Sequence, residues 1–212
     1  MYKITTIILL CIIFLLLSVK TYAQNTDIEI LSHINQESSS FLRDYSKLAS
    51  NTTKVAGLAV PVVIGAVALI NQDDDLLKSG IYIAASQLAT VALTYSFKLV
   101  VDRPRPYITY PDKIVAYDAL SSSSFPSGHT SFAFATATSL SIEFPKWYVI
   151  APSYLWACSV GYSRMNLGVH YPSDVLVGAL LGAGSAYLTY KLNQWFWKKC
   201  DNKKLIGLQT YL

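Results

Sequence analysis

Three short stretches of this sequence concentrate residues able to do chemistry. They are Lys98-Leu-Val-Val-Asp-Arg103-Pro104-Arg105-Pro106, then Pro126-Ser127-Gly128-His129, then Ser163-Arg164 followed by His170-Tyr-Pro-Ser-Asp174. Lys98, Arg105 and Arg164 lie in an apolar chain without a matching set of nearby acids, which is costly unless an anion is the missing partner. Phosphate fits, because arginine offers planar paired donors and lysine a point charge to a tetrahedral oxyanion. Ser127-Gly128 opens an apolar helical segment, where unpaired backbone N–H groups and the helix dipole favour an anion and glycine admits close approach. His170 and Asp174 are four residues apart, so on a helical turn the carboxylate would orient the imidazole and leave its other ring nitrogen as a nucleophile. His129 is then available as general acid for the leaving oxygen. Each piece alone has a plainer reading: a cation snorkelling at a membrane edge, a serine at a helix N-cap, an aspartate capping the helix after Pro172. The weight comes from their occurring together.

Apolar helices must position these residues. Hydrophobic residues make up 52% of the 212-residue chain and charged residues 14%, a balance that points to the membrane. Five apolar segments, Val55 to Ile70, Ile81 to Val101, Ser131 to Ile142, Trp147 to Tyr162 and Val175 to Trp197, are separated by charged or turn-forming residues. Crossing about 30 Å of hydrocarbon takes about 20 residues. The second and fifth segments reach that length, and the other three do so only with flanking residues. A soluble all-α bundle with unusually apolar helices is the competing expectation. The polar stretch from Asp27 to Lys54 has apolar residues partly at helical spacing and reads as a surface or interfacial helix.

Lys3, the apolar run from Ile7 to Leu17 and Thr21-Tyr22-Ala23 form an export signal, cleaved after Ala23 or retained as an anchor. The chain then divides into a signal at 1–23, a periplasmic or interfacial helical segment at 24–54, a membrane-embedded domain at 55–197 and a cytoplasmic tail at 198–212. The expected fold is an all-α polytopic membrane bundle of about five transmembrane helices, or six if the signal is retained. Lys78, Lys146 and the tail lysines place the C-terminus inside, so all three reactive stretches face the periplasm from a bacterial inner membrane. The net charge of +4 is scattered, which excludes a nucleic-acid surface. Cys11, Cys158 and Cys200 show no CxxC spacing or neighbouring histidine, so no disulfide framework or zinc site is expected, and Cys158 reads as a small packing residue.

Taken in order, the stretches match K-x6-R-P, P-S-G-H and S-R-x5-H-x3-D, and the chain from Lys98 to Asp174 thereby resembles the type 2 phosphatidic-acid phosphatase superfamily. Arg103-Pro104 is a second Arg-Pro pair, but only Arg105 has the six-residue gap from Lys98. The resemblance implies that His170 takes the phosphoryl group as a phosphohistidine, that Asp174 orients it, and that His129 protonates the leaving group and later activates water. Lys98, Arg105, Ser127, Gly128 and Arg164 would cradle the phosphate oxygens. It further implies a membrane lipid phosphatase that uses no metal and no other cofactor, with a lipid phosphate and the bilayer as its partners; no obligate protein partner is evident. A soluble periplasmic acid phosphatase and a membrane protein that binds phosphate without cleaving it are the rival expectations. Undecaprenyl diphosphate, lipid A phosphates, phosphatidylglycerophosphate and phosphatidic acid remain equal candidates as substrate.

Overall fold

The computed structural model describes the backbone of residues 26–118 and 120–209, with side chains as far as residue 196. The expected signal, Cys11 and the side chains of the lysine-rich tail lie outside the described residues. Seven helices and no strand occur among the described residues: α1 (26–36), α2 (Ser40–Asn71), α3 (Asp74–Val101), α4 (Pro106–Thr109), α5 (Gly128–Glu143), α6 (Trp147–Asn166) and α7 (Pro172–Gln209). Each of the five apolar segments falls within one long helix. Lys54 and Val55, where composition turns from polar to apolar, lie inside α2 and mark no break in it, whereas the chain does turn between α1 and α2. Ser39 starts α2 by accepting a hydrogen bond from the Leu42 N–H, and Asp73 starts α3 by accepting from Asp75 and Leu76.

The helices form a bundle with α5 inside it, packed against α2, α3, α6 and α7. This position explains the short third segment. Ala133, Ala135, Thr136, Ala137 and Ser139 of α5 are buried by other helices, so α5 is selected for small residues and close packing rather than for solubility in lipid. Among the described residues, Ser40–Asn71, Asp74–Thr109 and Pro172–Phe196 are the stretches long and apolar enough to cross a bilayer unaided. They expose Val62, Ile70, Leu88, Val100, Leu180 and Leu188, an apolar exterior suited to lipid contact. Cys158 is also exposed on α6, contrary to a packing role.

Buried polar groups join the helices. Gln87 of α3 donates to the Gly57 carbonyl of α2 and to Thr136 of α5, and Thr90 of α3 bonds Ser185 of α7. The α5–α7 contact depends on glycine. A Cβ at Gly182 would sit 2.0 Å from the Ser131 carbonyl oxygen, and one at Gly178 would sit 2.8 Å from that of Ser127. Gly184, two residues on, has nothing within 4 Å of the same position. Gly182→Ala is therefore expected to destabilise the bundle by about 1–3 kcal/mol, while Gly184→Ala stays within about 0.5 kcal/mol. Thermal unfolding in one detergent, compared between the two variants, checks this.

Candidate active site

The end of α3, the start of α5, the end of α6 and the start of α7 meet at one end of the bundle. Close packing of α5 on α7 brings their N-termini into register, and the Ser127 N–H donates to the Asp174 carbonyl at 3.0 Å. Ser127 is the N-cap of α5, yet its hydroxyl pairs with Thr130 at 2.8 Å and does not cap the first-turn N–H groups. The first-turn N–H groups, at Gly128 and His129, are thus without a side-chain cap. A Cβ at Gly128 would make only ordinary contact with Thr94, 3.7 Å away, so helix packing does not require glycine there.

His170 lies before α7 rather than within a helical turn, so the pair with Asp174 forms across the helix start, Nδ1 to Oδ2 at 3.6 Å. Asp174 Oδ2 also accepts from the Tyr171 N–H at 3.0 Å, as a carboxylate in a first turn reaches back to the cap residue, and Pro172 occupies the first helical position. Capping and orienting the imidazole are thus done by one carboxylate. The other ring nitrogen, Nε2, is 3.4 Å from an Arg105 N–H nitrogen. Arginine only donates, so Nε2 carries the lone pair and Nδ1 carries the proton towards Asp174. No hydrogen bond to Nδ1 closer than 3.5 Å is formed, so the Asp174 carboxylate stands just beyond hydrogen-bond reach of the ring. Burial pushes the His170 ring down to about 4, with Asp174 opposing and Arg105 and Arg164 reinforcing the shift, so the ring is neutral at neutral pH.

The cations take different surroundings. Arg105 is buried and donates to the carbonyls of Ser122 and Val169, each at 2.7 Å, and Lys98 donates to the Ser123 carbonyl at 2.5 Å. Neither forms an ion pair among the described residues. Arg164 departs from the expectation of cations without acids. It is fully buried, donates to Ser50, and meets Asp118 Oδ2 with both terminal nitrogens at 3.2 and 3.1 Å, while its Nε has no partner. Lys98, Gly128 and His129 line one cavity of about 370 Å³ together with Thr53, Lys54, Leu58, Val91, Thr94, Tyr95 and Phe132. Lys98, Gly128 and His129 therefore share a space with an apolar wall contributed by α2, α3 and α5.

Some residues of this cluster were not evident from spacing. Arg103, rejected as the motif arginine, donates to Asp174 Oδ1 at 2.7 Å, to Ser173 at 2.8 Å and to Asp27 Oδ2 at 3.0 Å, with its guanidinium 3.7 Å over the Tyr171 ring. Ser124 donates to Asp174 Oδ2 at 2.5 Å. The doubled Arg-Pro pair was the one sequence signal for Arg103.

Comparison with known proteins decides the family. Residues 76–198 match the PAP2 superfamily. The chain belongs to it. Among PAP2 relatives, an undecaprenyl-diphosphatase of Sulfolobus acidocaldarius is 31% identical over 115 residues, which are 54% of this chain and 55% of that one. Lipid phosphate phosphatase 1 of Arabidopsis thaliana is 33% identical over 55% of this chain and 45% of its own, so the chain spans about half the length of these curated relatives. The crystal structure of a transmembrane PAP2 type phosphatidylglycerolphosphate phosphatase from Bacillus subtilis superposes with a TM-score of 0.69 at 25% identity, covering 92% of this chain and 97% of that one. LpxE of Aquifex aeolicus gives 0.66 at 29% identity over 78% and 95%. The fold is therefore that of a PAP2 membrane bundle. All eight residues named from the motifs lie in the matched region, and α1 and α2 lie outside it.

Proposed function

We propose that the protein is a lipid phosphatase, removing phosphate from a lipid phosphate or diphosphate through a phosphohistidine. The observation that carries this reading is the junction of His129, Lys98 and Gly128 with an apolar cavity between helices, beside a buried neutral His170 held between Asp174 and Arg105. Phosphate held by Lys98, Arg105, Arg164 and the first-turn N–H groups of α5 presents its phosphorus to His170 Nε2. A new N–P bond forms as the P–O bond to the lipid breaks, and His129 gives its proton to the departing oxygen. Water then attacks the phosphohistidine, His129 takes its proton, and inorganic phosphate leaves with the imidazole restored. Binding phosphate alone requires cations and donors but no such nucleophile and acid.

Release of inorganic phosphate by the purified protein from undecaprenyl diphosphate, lipid A, phosphatidylglycerophosphate and phosphatidic acid tests this, run with and without EDTA. Activity on at least one lipid, undiminished by chelator, is expected because cations and helix N–H groups meet the phosphate oxygens. Loss in EDTA with restoration by magnesium or zinc counts against the mechanism. Extraction separates the soluble rival: the exposed apolar faces of α2, α3 and α7 call for detergent, and release by salt alone supports the rival.

The lysine-rich C-terminus and the short basic connections favour a periplasmic active site in a bacterial inner membrane. Cysteine at exposed position Ser121, in the active-site loop and in a Cys158→Ser background, is expected to react with a membrane-impermeant thiol reagent in intact spheroplasts. Cys200 is expected to react only after lysis. The reverse pattern moves the substrate to the cytoplasmic leaflet and leaves the chemistry unchanged.

A further inference from the structure

Helix α1 lies before the PAP2 match and is nonetheless built into the site. Ile28 and Leu31 are buried against Ile114 and Tyr171, the residue next to His170. Asn35 grips the backbone of Val115 from both sides, donating to its carbonyl at 3.0 Å and accepting from its N–H at 2.8 Å, and also donates to the Asn166 carbonyl at 2.9 Å. At the start of α1, Asp27 is 7% exposed. Its Oδ1 accepts from the Ser173 N–H of α7 at 3.0 Å, and its Oδ2 accepts from the Ser173 hydroxyl and from Arg103 at 3.0 Å.

This geometry solves a problem set by Arg103. An arginine beside a buried carboxylate favours a two-pronged pair that engages both oxygens. If Arg103 took both oxygens of Asp174, none would remain to orient His170. Here Asp27 occupies Nη2 of Arg103, and only Nη1 reaches Asp174, at Oδ1. Oδ2 is left to Ser124, the Tyr171 N–H and the His170 ring. Through the Ser173 N–H, Asp27 also fixes the first turn of α7, where negative charge is favoured by the helix dipole.

Resting on the phosphatase reading above, we propose that Asp27 is a positioning residue of the active site, dividing Arg103 between two carboxylates so that Asp174 keeps an oxygen for His170. It touches no reacting atom, so its loss slows phosphoryl transfer without weakening substrate binding. The test is steady-state phosphate release by the full-length protein in detergent micelles with phosphatidic acid, comparing wild type with Asp27→Asn, Asp27→Glu and Ser173→Ala. Asp27→Asn is expected to lower kcat about 10²-fold with KM within about twofold, and Asp27→Glu to recover most of kcat. Ser173→Ala removes one contact of the carboxylate and is expected to lower kcat about tenfold at constant KM, which keeps the test decisive if Asp27→Asn is recovered only as aggregate. Unchanged kcat in the soluble variants overturns the positioning role. So does a joint change of kcat and KM that glutamate does not repair. A wild type that releases no phosphate from any of the four lipids overturns the reading of the site and this inference with it, whereas an active wild type with indifferent variants overturns the inference alone.

Discussion

His170→Ala is expected to abolish phosphate release from every substrate, while His129→Ala keeps slow turnover of substrates with good leaving groups. The difference follows from the two sites the histidines occupy. His170 is buried, held between Asp174 and Arg105, and neutral at neutral pH, with its lone pair on the nitrogen facing Arg105. A covalent route has no substitute for it. His129 lines the cavity that would hold the lipid, where on the proposed reading it would meet the leaving oxygen rather than the phosphorus. General acids contribute about 10²–10⁴-fold, and the contribution shrinks as the leaving group becomes a weaker base. His129→Ala should therefore lose that factor on a lipid monophosphate and far less on p-nitrophenyl phosphate. Rapid quenching of that variant with a labelled aryl phosphate should trap acid-labile phosphate on His170. Label on another residue, or equal loss on both leaving groups, removes the assigned roles.

The candidate site residues were more legible in the sequence than their supporting contacts. Lys98, Arg105, His129, His170 and Asp174 stand at fixed gaps in three short stretches, so type and spacing alone bring them forward. Spacing singled out Arg105; the structure puts it beside His170 and turns Arg103 to the carboxylates. The bundle was legible because five apolar runs need five helices. Hydropathy described α5 poorly, because a helix enclosed by protein is under no demand to be apolar towards lipid, and its alanines, threonines and serines are the mark of close packing. Contacts between distant residues left no local trace. Asp27 lies 76 positions from Arg103 and 146 from Ser173, and Asp118 lies 46 from Arg164. Nothing in the polar stretch after the first apolar run marks one aspartate as part of a site at the start of the last helix. The placement of His170 just before α7 was missed for a smaller reason: its four-residue gap from Asp174 was read as a helical turn, whereas Pro172 takes the first position of α7 and leaves His170 outside it.

Arg105→Lys is expected to lower kcat/KM by about 10²–10³-fold although charge is retained. The Arg105 guanidinium is fixed from behind by the Ser122 and Val169 carbonyls at 2.7 Å and by the Ser122 hydroxyl at 3.1 Å, so its plane is set before substrate arrives. The same terminal nitrogen that donates to Val169 is the one 3.4 Å from His170 Nε2. A phosphorus approaching Nε2 must bring an oxygen to that nitrogen, which then releases the imidazole lone pair for attack. Lysine has a single nitrogen on a flexible stem and cannot hold two carbonyls and a phosphate oxygen in one plane. Both KM and kcat should suffer, because the contact exists in the bound state and strengthens as charge redistributes over the equatorial oxygens of the transition state. Vanadate, which adopts that five-coordinate geometry and has no lipid leaving group, supplies an independent reading. Its inhibition constant should rise in parallel with the loss of kcat/KM. A loss below about threefold, or vanadate inhibition unaffected by the substitution, would take Arg105 out of the phosphate site and leave Lys98 and Arg164 to hold the anion.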